Sequence, residues 1–168
     1  MRVVASRVVY ENRWMRVHED RFEGDGLYGW IEKPPAALVV PLEDEHAWLI
    51  EQYRHPLRRR FWEFPQGAWE DAPAASPEAL ARGELAEETG LRAASLELLG
   101  RLHFAYGLSD QAVDVWRATG LEPGEQALED TEAGLIVRRF ARAEVERMIA
   151  GNEIRDAASV AAWHLATR

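Results

Sequence analysis

The stretch from Ser76 to Leu91, S-P-E-A-L-A-R-G-E-L-A-E-E-T-G-L, carries helix signals at both ends. The Ser76 hydroxyl suits an N-cap, where it accepts from a free amide of the first turn. Pro77 fits the first helical position, where a missing N–H costs nothing. Gly90 follows the last periodic residue and tolerates the left-handed conformation that ends many helices. Between these caps Leu80 and Leu85, with Ala79, Ala81 and Ala86, supply apolar contacts. Glu84, Glu87 and Glu88 stand three and four residues apart, on one face of the predicted helix. Two readings fit such a face. It is a solvated acidic surface, or its mutual repulsion is relieved by a hard divalent cation, Mg²⁺ or Mn²⁺, which prefers oxygen ligands.

The chain has 168 residues, enough to bury one core and too few for two typical domains. With 47% apolar and 29% charged residues it reads as soluble and globular. No apolar run approaches a membrane span and the first residues lack a signal-peptide pattern, so a cytoplasmic location is expected. There is no cysteine, which excludes disulfides, thiolate metal sites and a cysteine nucleophile. The net charge of −9 speaks against long nucleic acids, which require basic surface. A small anionic ligand remains compatible, because Arg54 to Arg60 (R-H-P-L-R-R-R) form a dense basic island.

Residues 3–33 alternate between apolar and polar, with breaks at Glu11-Asn12 and Gly24-Asp25-Gly26, which predicts an antiparallel meander. Trp14, Tyr28 and Trp30 are candidates for stacking on a base, against a role in a core or dimer contact. Ala36–Pro41 is a continuous apolar run, the mark of a strand buried on both faces. His46–Tyr53 follows as a strand, with Arg54 at its end. A guanidinium there suits a bidentate grip on pyrophosphate, or a surface ion pair. One of Arg58, Arg59 and Arg60 is expected to face the same site, with Arg60 as the candidate. Phe61–Pro65 is a strand leading to Gly67, where close backbone approach lets a carbonyl of Gly67 or Ala68 join a cation's ligands. Leu96–Phe104 and Ala112–Thr119 read as strands, and Tyr106 in the loop between them is a second candidate for a base. Gly120–Gly134 reads as a long mobile loop. Leu135–Phe140 is a strand, and Arg142–Ala150 and Ala157–Ala166 are helices, the latter capped by Asp156. Periodicity alone gives a mixed α/β chain.

G-E-L-A-E-E-T-G-L (Gly83–Leu91) is similar to the C-terminal half of the Nudix box, G-x5-E-x7-R-E-U-x-E-E-x-G-U with U aliphatic. Phe64-Pro65-Gln66-Gly67 resembles the strand end and loop that open the box. Glu51-Gln52-Tyr53-Arg54-His55-Pro56 is similar to a segment of ADP-ribose-type nucleotide-sugar pyrophosphatases. The chain departs from the pattern in one spacing and at two residues: Gly67 lies two residues further upstream than the box places its opening glycine. Gly83 stands where the box arginine belongs, with Arg82 about 100° around the helix, and Ala75 stands at the first box glutamate. Glu70, Asp71 or Glu78 are candidates to replace the groups lost.

The resemblance implies an α/β/α sandwich with a mixed sheet over residues 34–168, preceded by the small meander of residues 1–33, with 1–168 forming one Nudix domain. It implies metal-dependent hydrolysis of a diphosphate linkage in ADP-ribose or another nucleotide sugar, with Mg²⁺ or Mn²⁺ on Glu84, Glu87, Glu88 and the Gly67 or Ala68 carbonyl. Glu84 or Glu132 would serve as base, Glu129 being the second loop candidate. Arg54, Arg60, Tyr106 and Trp14 would bind substrate. The first strands would form a homodimer. Dinucleoside polyphosphates, RNA 5′ ends and a non-catalytic nucleotide-binding module are the alternatives.

Overall fold

The computed structural model describes residues 2–68, 76–128 and 132–168. Its chain begins with β1 (Val3–Glu11), β2 (Arg16–Phe22) and β3 (Leu27–Glu32), an antiparallel sheet in the order β1-β2-β3, as the alternation predicts. This sheet is joined to the rest along β3, where Ile31 N–H donates to the Leu108 carbonyl and Asp110 N–H to that of Ile31. The Tyr28 hydroxyl also reaches the Gly107 carbonyl.

The larger sheet contains β4 (Ala36–Glu43), β5 (His46–Arg54), β6 (Arg59–Glu63), β7 (Gln66–Gly67), β8 (Leu91–His103), β9 (Ala112–Pro123) and β10 (Ile136–Ala141). Its order is β10-β5-β4-β9-β8, with β6 paired to β5 and β7 to β4. Only the β4–β9 pair among them is parallel, which makes the sheet mixed.

β4 explains the layers. Because strand side chains alternate, Leu38 and Val40 enter one core while Ala37 and Val39 enter another. On the second side lies α1 (Pro77–Thr89), through Leu80, Ala81 and Leu85. On the first lie α2 (Arg142–Ala150) and α3 (Ala157–Ala166), through Val145, Met148, Ala162 and Trp163. The result is the expected α/β/α sandwich. Full burial of side chains such as Leu38, Leu49 and Ile50 stabilises it by roughly 1.5–3 kcal/mol each.

Two boundaries differ from the sequence reading. β8 starts at Leu91, directly after the helix, and β9 continues to Pro123, so the first part of the expected 120–134 loop is strand. Leu91 pairs with Pro123 and Ala93 with Leu121, and this ladder carries both strands past their glycine and proline signals.

Candidate active site

α1 forms as its caps dictate. The Ser76 hydroxyl accepts from Ala79 N–H at 3.1 Å, Pro77 opens the helix, and Gly90 closes it at φ 70°. These ends fix the rotation that turns Glu84, Glu87 and Glu88 into a cleft of about 750 Å³ between α1, the β5–β7 segment and the start of α3. Glu84 and Glu88 are 5% and 1% exposed, so the acidic face is not a solvated surface.

The turn into β7 meets both carboxylates. Gln66 N–H donates to Glu88 Oε2 at 2.8 Å. Gly67 lies against Glu84 so closely that a Cβ there would sit 2.6 Å from Glu84 Cδ and 2.7 Å from Oε1. Glycine is needed here for space, not for a positive φ. Burial first, then the charge of Glu84, pushes the Glu88 carboxyl up to about 9, with the Gln66 amide opposing and the charges of Glu132 and Glu63 adding. Three other acids of this cleft therefore act on Glu88.

Across from α1, Gln52 and Arg54 share a face of β5, and Phe61 and Glu63 are on the same face of β6. Arg54 Nε donates to Glu63 Oε2 at 3.2 Å, and its Nη2 lies 2.5 Å from Glu63 Oε1 as a close but unaligned ion-pair contact. Glu63 is almost fully buried, which pushes its carboxyl up to about 7 while Arg54 opposes the shift. Acids outnumber cations along the cleft: Glu63, Glu84, Glu87, Glu88, Glu132 and Asp156 against Lys33, Arg54 and Arg155. The residues present fit a divalent cation, since the glycine cradle leaves Glu84 room beside the backbone and the acid excess calls for positive charge. Among the described residues no group of three acidic or histidine side chains is already gathered for an ion. Such a cation would complete its shell with water and substrate oxygens, as Mg²⁺ commonly does.

Of the expected residues, Trp14, Arg54, Gly67, Ala68, Glu84, Glu87, Glu88 and Glu132 all line this cleft. Trp14 is 44% exposed, with the Arg13 guanidinium over its ring at 4.5 Å, so it is not a core residue. Arg60 and Tyr106 are not brought to the cleft. Strand alternation turns Arg60 away from Arg54, and it donates to Glu51 Oε2 and to the carbonyls of Glu51 and Gly134. It thereby braces the turn after Glu132. Tyr106 is 88% exposed at the tip of its loop. Tyr28 binds that loop, and Trp30 stacks on His18 and donates to Asp20. Glu78 and Arg82 pair with each other on the outside of α1, and Arg82 also donates to the Ala93 carbonyl, so neither stands in for the missing box groups. Glu70, Asp71, Ala75 and Glu129 lie outside the described residues.

The sequence reading missed Gln52, Lys33, Phe104, Arg155 and Asp156 as cleft residues. Gln52 had a signal, its spacing of two from Arg54 on one strand. Arg155 and Asp156 had none, since α3 meets the cleft only through the fold.

Buried carboxylates along one helix, an arginine opposite them and an aromatic rim are the equipment of an enzyme that handles phosphate anhydrides with a divalent cation. The comparisons with known proteins agree. Residues 32–163 match the family model described as the NUDIX domain, and the chain belongs to this family of hydrolases. Residues 1–24 match a model described as the nucleoside diphosphate sugar hydrolase N-terminal domain. An ADP-ribose pyrophosphatase of Mycobacterium tuberculosis is 35% identical over 151 residues, covering 88% of this chain and 72% of that protein. An ADP-ribose pyrophosphatase of Bacillus subtilis is 30% identical over 129 residues, covering 76% and 69%. A crystal structure of an ADP compounds hydrolase has the same fold, with a TM-score of 0.80 at 24% identity, over 98% of this chain and 90% of that one. NUDIX hydrolases generally use a divalent metal. Among the described residues no helix is long and apolar enough to cross a membrane.

Proposed function

We propose that this protein hydrolyses the diphosphate linkage of ADP-ribose or a similarly built nucleotide sugar, using Mg²⁺ or Mn²⁺. The observation that carries the reading is the meeting of Gly67 and Gln66 with Glu84 and Glu88, in the cleft that Arg54 also lines. The two ADP-ribose pyrophosphatases among the relatives supply the substrate class.

In this reading Glu84, Glu87 and Glu88, with the Gly67 or Ala68 carbonyl, hold the cation. Bound there, it would offset the charge that develops on the phosphate oxygens. Arg54, steadied by Glu63, grips the diphosphate. Trp14, exposed at the cleft, stacks on the base. Glu84 or Glu132 takes the proton of the attacking water. A phosphorus–oxygen bond of the anhydride breaks, leaving a phosphate on each product.

The test is product release from ADP-ribose, GDP-mannose, UDP-glucose and diadenosine polyphosphates, with Mg²⁺ and with chelator. Chelator-sensitive turnover of ADP-ribose or another nucleotide sugar is expected. Tight binding with no turnover on any of them would instead identify a nucleotide-binding module, with Gly83 as the decisive departure.

The reading extends to a homodimer formed through the first sheet. Val3, Val4, Val8, Val9 and Tyr10 of β1 are each about half exposed, and β1 is the outer strand of its sheet. An apolar outer strand of this kind suits pairing with a second copy. Light scattering should give twice the chain mass in solution; a monomer at tens of micromolar would remove the dimer from the reading.

A further inference from the structure

We infer that Gln66 and Asp156 form a positioning link that fixes Glu88 against the C-terminal helix layer, so that cation affinity depends on a contact with α3. This rests on the cation reading above and concerns the Gln66 side chain and Asp156, to which that reading gives no role.

Gln66 is held at two ends. Its main-chain N–H donates to Glu88 Oε2 at 2.8 Å, and its side-chain Nε2 donates to Asp156 Oδ2 at 3.0 Å. Asp156 is itself fixed, because the same oxygen accepts from Ser159 N–H at 2.8 Å and Ser159 Oγ at 2.7 Å as the cap of α3. Ser159 is fully buried and its Oγ accepts from Phe64 N–H at 3.0 Å. Phe64, also fully buried, stacks on Trp163 of α3. The Phe64–Gly67 segment is thus fastened to α3 at Phe64 and again at Gln66.

The Pro65–Gln66 peptide, whose N–H meets Glu88, is held from two sides. From β4, Val39 N–H donates to the Pro65 carbonyl at 2.9 Å, beside the short β7 ladder of Gln66 and Gly67 with Leu38 and Ala37. From α3, Asp156 holds the Gln66 side chain, and with both holds in place the main-chain N–H meets Glu88 and Gly67 lies against Glu84. The other end of the amide supports a special role. Gln66 Oε1 is buried and has no hydrogen-bond partner among the described residues, a cost that an apolar side chain of similar size would avoid. Exchange of the amide's oxygen and nitrogen would set the oxygen against Asp156, so the orientation is fixed by the acid.

The experiment is titration of Mn²⁺ alone, followed by calorimetry, into the full chain and into Gln66→Leu, Asp156→Ala, Asp156→Asn and the Gln66→Leu/Asp156→Ala double variant. Gln66→Leu keeps the main-chain donor and removes the tie. Asp156→Asn keeps an oxygen for Gln66 and for the α3 cap. A link of this kind should weaken Mn²⁺ binding about tenfold in Gln66→Leu and Asp156→Ala, in the range seen for groups that orient metal ligands. Asp156→Asn should stay within a few-fold of the unchanged protein. The double variant should bind no more weakly than the worse single one, because both cut the same link. A purely structural role would lower the melting temperature and leave Mn²⁺ affinity unmoved. Equal affinity in Gln66→Leu, or additive losses in the double variant, would overturn the link alone. No Mn²⁺ binding by the unchanged protein would overturn the cation reading and the link with it.

Discussion

Glu88→Gln should leave a folded protein that has lost metal-dependent turnover by at least about 100-fold, since even the groups that orient metal ligands are worth 10–100-fold. The fold should survive because Glu88 is buried and pushed up to about 9, so in the metal-free protein at neutral pH it already carries a proton. Glutamine copies that neutral form. Its oxygen can accept from Gln66 N–H as Glu88 Oε2 does. The pH dependence gives an independent reading. A carboxyl whose folded-state pKa is raised stabilises the fold fully below its unfolded value of 4.5, and loses that contribution as pH climbs towards about 9. In chelator the unchanged protein should therefore become less stable as pH rises across this window, and Glu88→Gln should show a shallower fall. Urea unfolding at pH 5 and 8 measures the difference. Turnover within a few-fold of the unchanged protein would remove Glu88 from the cation's ligands, and an unchanged pH slope would remove its buried proton.

The sequence discloses the parts of the site that are local. The α1 caps at Ser76, Pro77 and Gly90, and the spacing of Glu84, Glu87 and Glu88, are written within a few turns of chain, and the helix forms as read. The same holds for the meander and for β4, whose unbroken apolar run needs both faces covered. What it does not disclose depends on register and on distant partners. Arg54 and Arg60 belong to one basic island, but only the pairing of Tyr53 with Arg60 and Gln52 with Phe61 shows that the two arginines point to opposite faces. Gly120 reads as the start of a loop, yet the strand passes through it at φ 64° because β8 supplies the ladder beyond. Asp156 reads correctly as a helix cap, and nothing near it in sequence announces that its oxygen also takes the Gln66 amide. For Gly83, a half-buried residue inside α1, the described residues offer no physical reason.

Gly67→Ala should separate the site from the fold more sharply than any change of charge. The glycine does not occupy a left-handed conformation, so alanine is compatible with the backbone and slightly restricts the unfolded chain, a gain of about 0.4–1 kcal/mol. Against this, the new methyl group would overlap the Glu84 carboxylate, closest at Oε2 and 2.6–2.7 Å from Cδ and Oε1, far inside contact distance. The carboxylate is the far end of a flexible side chain and has to turn aside, at a cost on the order of 0.5–1.5 kcal/mol for a strained rotamer. The two effects nearly cancel, so stability should change by less than about 1 kcal/mol. Function has no such escape. Glu84 would leave the space beside the Gly67 backbone where, in the proposed reading, both help hold the cation and Glu84 is a candidate for the base. A misplacement of about 1 Å can cost 100-fold in rate, and a displaced ligand adds to that. Turnover should therefore fall at least about 100-fold, with little recovery at high Mg²⁺, while denaturant midpoints barely move. Near-normal turnover in Gly67→Ala would mean that the contact with Glu84 is incidental, and the assignment of this turn to the cation site would have to be given up.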